Sequence, residues 1–532
     1  MPRSVAVLSI ILAFTSLSFF TSAQSLPTEP QNDTWNSSYH LTTQQITSAN
    51  LSAHLADAVA LALNFERTNR AGGPVSSDPF YTSLPAPNSS NSAPGSLLRV
   101  EPYTNTSLYT LPPGVALSRF IYMTRTSNDT IVPASAYILW PFTPRTFPYS
   151  SNSSTSKPES LPIVVWAHGY SGESASCAPS SSRVLHQDFQ APFTLALQGY
   201  VVVAPDFSGL GGLTAGAGHG DDLLFAVPAA RAAFPGELRN SSFVLMGHST
   251  GSKASWGAAS NLALLSAQSQ NDSQSAQELQ MVSKGYLGTI AVSPWQPPYL
   301  QLPLSEEAKI PNALSIYTSV NIAGDLRAAN GDNFNISTFL NDQALAYYNL
   351  IYELGGCIAT HQTLLFLGEP IQDVFQDGWY AVPEYLRYAA SIKNAGLPVM
   401  GPLLVLQATG DPLSNATIAQ QQVNETCGAF LDVDIEYVEY NITGHSDVLF
   451  AAQTRWLKWI EDRFAGAAAD TAGSASGVVK GPGQGTGNGG SAGVGGCSWE
   501  WVQPGTSRPV EAYVQGGPRF ILEYAQEGYQ LA

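Results

Sequence analysis

Positive charge is scarce in this chain. Its 532 residues include 23 Lys and Arg against 40 Asp and Glu, a formal net charge of -17, and charged residues of either sign make up only 12%. Nucleic-acid binding needs a basic surface, so this composition argues against it. The acidic balance instead suits a protein that stays soluble at mildly acidic to neutral pH. Cysteine is sparse too: Cys177, Cys357, Cys427 and Cys497 are the whole set. They form no C-x-x-C pair and no His/Cys cluster accompanies them, so nothing points to a metal. Long apolar runs are missing beyond the N-terminus, which argues against a transmembrane anchor further along the chain.

The N-terminus is the exception. Arg3, the apolar stretch Val5 to Phe20 and the small residues Thr21-Ser22-Ala23 read as a secretory signal over residues 1–23. A membrane anchor is the alternative, but the run is short and interrupted by Ser and Thr. Export implies oxidising conditions, in which four cysteines read as two disulfides. Three connectivities are open, and sequence alone does not choose among them. Asn-x-Ser/Thr sequons begin at Asn32, Asn36, Asn50, Asn88, Asn105, Asn128, Asn152, Asn240, Asn271, Asn335, Asn415, Asn424 and Asn441. Composition would give roughly four, so the excess suggests an N-glycosylated extracellular protein.

Residues 24–95 are polar, Pro-rich and sequon-rich, with one amphipathic helix predicted from Leu51 to Asn64 and the rest read as loop wrapping a core. Strand patterns follow. Ala116–Arg125 and Ile131–Trp140 suggest a hairpin. Pro162–Ala167, Tyr200–Ala204, Ser242–Met246, Tyr286–Val292, Leu403–Gln407 and Asp434–Val438 come next, with helices predicted at Leu223–Ala233 and Val448–Phe464. Continuous apolar strands separated by helical stretches predict an α/β fold, a mostly parallel sheet covered by helices on both faces. The rhythm divides the core into 96–295 and 398–465. Between them, residues 296–397 hold helical patterns (Ile336–Leu354, Tyr385–Asn394) and the aromatics Tyr347, Tyr348, Tyr352, Phe366, Phe375, Trp379 and Tyr380. Such an insertion would form a helical cap, its aromatics mostly core and the remainder lining an apolar pocket. Residues 466–496 are a Gly/Ala/Ser-rich linker, and 497–532 a C-terminal flap tied back by Cys497.

The most informative stretch is Gly247-His248-Ser249-Thr250-Gly251. It follows the apolar Phe243-Val244-Leu245-Met246 and opens a small-residue helix. Strand, sharp turn and helix are what a nucleophile elbow requires. The same pattern at Gly489–Gly493 lies in the glycine-rich tract with neither strand nor helix beside it, and is read as chance. A serine nucleophile needs a base, and the base an orienting acid, in the chain order Ser, Asp or Glu, His. Only His361 and His445 follow Ser249. His361 falls in the insertion; His445 falls just after the last core strand, where catalytic loops belong. Asp411 ends a strand in Gly410-Asp411-Pro412 and precedes His445; a plain Asx turn is the bland alternative. Asp432 and Asp434 lie too close to the last strand, and Asp447 follows His445. For the oxyanion, the expected amide donors are Thr250 and, from His168-Gly169-Tyr170-Ser171-Gly172, Tyr170, with Ser171 as fallback. His168 is expected to shape that turn. His248 is expected to project away from the nucleophile, and the Asp206–Gly211 turn to be structural. This chemistry calls for no metal or organic cofactor.

These residues place the chain in the α/β-hydrolase fold, and several strings resemble the fungal secretory-lipase family (lipase A-like). They are Ala167-His168-Gly169 before Ser176-Cys177-Ala178-Pro179-Ser180, Gly199 to Asp206 with its Gly-rich turn, and Gly247–Gly251, with matching spacing to Asp411 and His445. The resemblance spans roughly residues 96–465. It implies a large helical cap between late strands, an acyl-binding tunnel, the disulfides Cys177–Cys357 and Cys427–Cys497, and hydrolysis of carboxylic esters including triacylglycerols. The expected partner is a lipid or other ester substrate, an oil–water interface being one setting for it. Thr250 and Ser252-Lys253 depart from the family's usual Gln and Gly-rich sequence. Competing expectations are a secreted serine peptidase on the same fold and a binding protein without activity.

Overall fold

The computed structural model of the protein describes residues 39–85, 92–126, 129–147, 161–172, 174–186, 188–208, 220–295, 322–327, 330, 334–367, 374–470, 496–509 and 512–513. The expected signal segment, the sequons at Asn32, Asn36, Asn88, Asn128 and Asn152, the first part of the insertion, most of the glycine-rich linker and the flap beyond Tyr513 lie outside the described residues.

The strands are β1 (Leu97–Glu101), β2 (Val115–Arg125), β3 (Ile131–Pro141), β4 (Ile163–Ala167), β5 (Val201–Ser208), β6 (Phe243–His248), β7 (Tyr286–Val292), β8 (Leu403–Gly410), β9 (Asp434–Thr443) and β10 (Gly496–Val502). They form one 10-stranded sheet in the order β1-β2-β3-β5-β4-β6-β7-β8-β9-β10. The pairs β1–β2, β2–β3 and β3–β5 are antiparallel. From β5 onward every pair is parallel.

The composition of the central strands explains their burial on both faces. Along β5, Val202 and Ala204 pack on one side with Trp456, Ile460 and Phe464 of the helix Gln453–Asp470. Val201 and Val203 pack on the other with the helix Gly220–Ala233 and with Ala254, Ala258 and Leu262 of the helix Thr250–Ser269. A strand with apolar residues at both parities can only sit between two helical layers. This is the expected fold class.

Elements at the margins differ from expectation. β1 is half-buried along its length, and β10 buries only Cys497 among its seven residues. Neither has the apolar run that marks a central strand. β10 lies beside β9 and is tied by the Cys427–Cys497 disulfide to the helix Ala416–Ala429. The single helix expected over Val448–Phe464 is two, Asp447–Ala451 and Gln453–Asp470, joined where Trp456 Nε1 donates to the Leu449 carbonyl at 2.9 Å.

Between β7 and β8 the described insertion is helical. The helix expected to begin at Ile336 begins at Asp342, because Asn341 caps it by accepting from the Ala344 amide at 2.9 Å; it ends at Gly355, whose φ of 62° suits a residue without a Cβ. The helices Ile358–Leu367 and Pro383–Ser391 follow. The residues before β1 form more than loop. The helix Ala53–Thr68, capped by Ser52, turns Leu55, Val59 and Leu63 into the same apolar cluster as Tyr347, Tyr348 and Tyr385. Of the insertion's aromatics, Tyr347 and Tyr348 are core, whereas Tyr352 and Tyr380 are exposed rather than lining a pocket.

Candidate active site

Parallel strands place all their C-terminal ends at one sheet edge, and the site is built there. Ser249 follows β6, Asp411 follows β8 and the loop carrying His445 follows β9.

Ser249 has φ 58° and ψ -123°, a region that L side chains rarely occupy, and the helix Thr250–Ser269 starts at the next residue. The flanking glycines have a steric cause. A Cβ on Gly247 would run into the Gly251 carbonyl, and a Cβ on Gly251 into the Ala167 carbonyl at the end of β4. The tight turn therefore requires both. Gly251→Ala is expected to destabilise the fold by about 3 kcal/mol or more, because backbone must move to admit the methyl. Urea unfolding measures this; a variant as stable as the parent would contradict the packing account.

Around the elbow, several bonds fix the spacing. The Ser249 amide donates to the Val292 carbonyl of β7 at 3.0 Å. Ser252, one of the departures from the lipase pattern, donates through Oγ to the Ser249 carbonyl and accepts from the Trp295 amide at 2.9 Å.

Asp411 and His445 meet directly. His445 Nδ1 lies 2.9 Å from both Oδ1 and Oδ2 of Asp411. Oδ1 also accepts from the amides of Leu413 at 2.8 Å and Ser414 at 2.9 Å. Burial would push the Asp411 carboxyl up; the charge and hydrogen bond of His445 and these two amides outweigh it, holding the group below its ordinary value of 3.8. The carboxylate is thus ionised and accepts a hydrogen bond from the imidazole Nδ1–H. The opposite nitrogen, Nε2, is buried and makes no hydrogen bond, which leaves it as the basic lone pair of the pair. Accessibility rises in order, from an Asp411 side chain at 0% through His445 at 14% to a half-buried Ser249.

Two residues that sequence reasoning did not assign hold His445. Its carbonyl accepts from His248 Nε2 and from Ser293 Oγ, each at 3.0 Å. A carbonyl only accepts, so His248 carries its proton on Nε2. His248 was expected to project away and pack; it is buried, as expected, but reaches across to the base loop. Burial pushes its imidazole down to about 3. Ser293 follows β7 with φ 48°. A serine directly after an apolar strand, at the edge where the other functional loops emerge, was the available signal. Ser414 Oγ donates to the Pro294 carbonyl at 2.7 Å and binds the acid loop to the same strand exit.

The expected oxyanion donors flank this arrangement. Thr250 is buried in the first turn of its helix, where amides have no acceptor within the helix. His168 Nδ1 lies 2.6 Å from the Gly169 carbonyl. A trans peptide directs the Tyr170 N–H opposite to that carbonyl, hence away from His168. His168 stacks on Phe207 at 4.3 Å and shapes the turn. Asp206 accepts from the Ser135 and Ser180 hydroxyls and the Ser180 amide, a structural role. His361 does not join the Asp411–His445 pair; its Nδ1 lies 3.0 Å from the Tyr170 hydroxyl. The disulfides are Cys177–Cys357 and Cys427–Cys497, the pairing the resemblance implies. Among the described residues, no group of three or more His, Cys, Asp or Glu could hold a metal ion, and no helix is long and apolar enough to cross a membrane.

The sequence model of the alpha/beta hydrolase family matches residues 164–456, more than half of the chain, from within β4 through β9. The chain belongs to the alpha/beta hydrolase family. No curated protein matches it. Among solved structures, this hydrolase is similar to Candida antarctica lipase A in its closed state, at 18% identity and TM-score 0.55, over 74% of this chain and 87% of that one. A second structure of that lipase gives 19% identity and 0.53, over 74% and 86%. The rice cell wall degrading esterase LipA from Xanthomonas oryzae gives 18% and 0.47, over 69% and 97%. At such identities the likeness to lipase A is one of fold, and it agrees with the lipase A-like resemblance of the sequence strings.

Proposed function

We propose that this alpha/beta hydrolase is a secreted serine hydrolase that cleaves carboxylic esters, with long-chain esters such as triacylglycerols as its substrate class. The observation that carries the reading is His445: Nδ1 held by an ionised Asp411, Nε2 unengaged, and a strained, accessible Ser249 at the same sheet edge. Ser249 Oγ attacks the ester carbonyl while His445 Nε2 takes its proton. Asp411 holds the resulting imidazolium. The Thr250 and Tyr170 amides receive the negative charge of the tetrahedral intermediate. His445 then gives the proton to the leaving alcohol, and water repeats the sequence on the acyl-enzyme. The insertion between β7 and β8 serves as the cap. The N-terminal signal, the two disulfides and the exposed sequon asparagines Asn50, Asn105, Asn240, Asn271, Asn335, Asn424 and Asn441 support export and glycosylation.

Initial rates on p-nitrophenyl esters from acetyl to palmitoyl, and on a triacylglycerol emulsion, test this. Turnover is expected to rise toward the long-chain esters and to extend to the emulsion. Hydrolysis confined to short chains would make it an esterase for small acyl groups, and no ester hydrolysis would overturn the reading.

A further inference from the structure

The loop that carries Tyr170 is gripped by the insertion at several points within a few residues. Gly172 forms an isolated bridge with Cys357. The Ile358 amide donates to the Ser171 carbonyl at 3.0 Å. Cys357 is bonded to Cys177, which lies downstream of the same loop. Gly172 has φ 135°, and a Cβ there would meet the Cys177 side chain and the Cys357 backbone, so the two chains approach as closely as they can. The insertion side is itself anchored: buried Glu66 accepts from the amides of Cys357 and Thr360, each at 2.8 Å, and from the Thr360 hydroxyl. These amides open the helix Ile358–Leu367, which needs acceptors there.

His361 lies one turn into that helix. It is fully buried, and no role in the triad falls to it. Its Nδ1 meets the Tyr170 hydroxyl at 3.0 Å. The backbone on the two sides of Tyr170 is fixed by His168 at Gly169 and by Ile358 at Ser171. His186 also reaches the Gly169 and Tyr170 backbone, and the Tyr170 side chain adds a further hold, since the direction of its own amide depends on where its Cα is held. An oxyanion donor works only if it is aimed before charge develops.

We infer that His361 is a positioning residue for ester hydrolysis, aiming the Tyr170 amide at the oxyanion through its contact with the Tyr170 hydroxyl. The inference rests on the serine-hydrolase reading above. The insertion thereby does two things: it covers the site, and it completes the oxyanion loop. His361 touches no reacting atom; its effect passes through Tyr170.

Tyr170→Phe keeps the ring and the amide and removes only the hydroxyl. His361→Leu removes the partner, and His361→Asn restores a polar atom near the Nδ1 position. Tyr170→Phe and His361→Leu are each expected to lower kcat on a p-nitrophenyl ester by about 10- to 100-fold, part of the full value of an oxyanion donor, with KM changed less than about threefold. His361→Asn should recover most of the loss. The double variant should be no slower than the slower single one, because both remove the same contact. Affinity for a trifluoromethyl ketone, which forms a tetrahedral adduct with the serine, should fall by the same factor as kcat/KM. Thermal melts of each variant separate loss of fold from loss of aim. Unchanged kcat in a folded Tyr170→Phe variant, or additive losses in the double, would overturn the inference while leaving the hydrolase intact. A parent protein that neither hydrolyses esters nor is labelled at Ser249 by a fluorophosphonate would overturn the hydrolase reading, and this inference with it.

Discussion

Ser249→Ala is expected to lower ester turnover by about 10⁴- to 10⁶-fold, and Asp411→Asn by about 10⁴-fold, in proteins that remain folded. The two losses have different causes. Alanine removes the attacking oxygen, and what remains is the catalysis that binding and the oxyanion donors supply to water. The strain at φ 58° stays as it is, since alanine keeps the Cβ that causes it, so the variant should melt within a few degrees of the parent. Asparagine at 411 keeps the shape of the acid and its bonds to the Leu413 and Ser414 amides through one oxygen. It offers an N–H where His445 Nδ1 now donates, favouring the tautomer that puts the proton on Nε2, the nitrogen that must accept it from Ser249. The Asp411→Asn loss should therefore shrink at high pH, where hydroxide assists, and the Ser249→Ala loss should not shrink in parallel. Rates on one p-nitrophenyl ester from pH 6 to pH 10, with titration of active sites by a fluorophosphonate, decide both. Turnover in Ser249→Ala within tenfold of the parent would remove Ser249 from the reaction.

The elements that place this site were legible because each carries its cause locally. β6 ends in Gly-His-Ser-Thr-Gly, and both glycines prove to be forced by backbone contacts at Gly251 and Ala167. β8 ends in Gly-Asp-Pro, and β9 is followed by Gly-His, so chain order and strand ends alone paired Asp411 with His445. What was not legible depends on partners far away in sequence. Glu66 lies just past the helix expected from Leu51 to Asn64 and carries no signal of its role, because its donors, Cys357 and Thr360, lie 291 and 294 positions later. The bond from His248 to the His445 carbonyl spans 197 positions. The edge strands β1 and β10 were missed for a different reason: each has one neighbour in the sheet and little apolar burial, so its sequence need not alternate or run apolar. The N-terminal helix was found, but not its place. Amphipathic spacing shows that a face must be buried, and only the fold shows that the insertion buries it.

Acid is expected to unfold this protein well before its carboxylates are all protonated. Burial pushes four imidazoles down: His168 to about 4, and His186, His248 and His361 to about 3 each. Each is neutral in the fold and takes up a proton on unfolding at any pH below its unfolded value of 6.5. Their contribution to stability is therefore complete above pH 6.5 and is lost as pH falls through the window down to the folded values. Burial acts in the opposite sense on Glu66, Asp206, Asp325 and Asp434, which it raises above their ordinary values. Their contribution is present at low pH and lost as pH rises, so on acidification they return part of what the histidines lose. Where these carboxylates are ionised in both states, unfolding takes up as many as four protons as pH falls through this window. One proton is worth about 1.4 kcal/mol per pH unit. The melting temperature should accordingly fall by several degrees between pH 6.5 and 4.5, at about 1 °C per kcal/mol for a chain of this size. Because His168 and His361 contact the loop that carries Tyr170, and His248 the loop that carries His445, ester hydrolysis that does not return at pH 7 should be lost together with the fold. Scanning calorimetry from pH 7 to pH 4, with activity measured after return to pH 7, follows both. A melting temperature that stays level across the window would show that these histidines are not buried as neutral groups, and would remove the tautomer assigned to His248 with them.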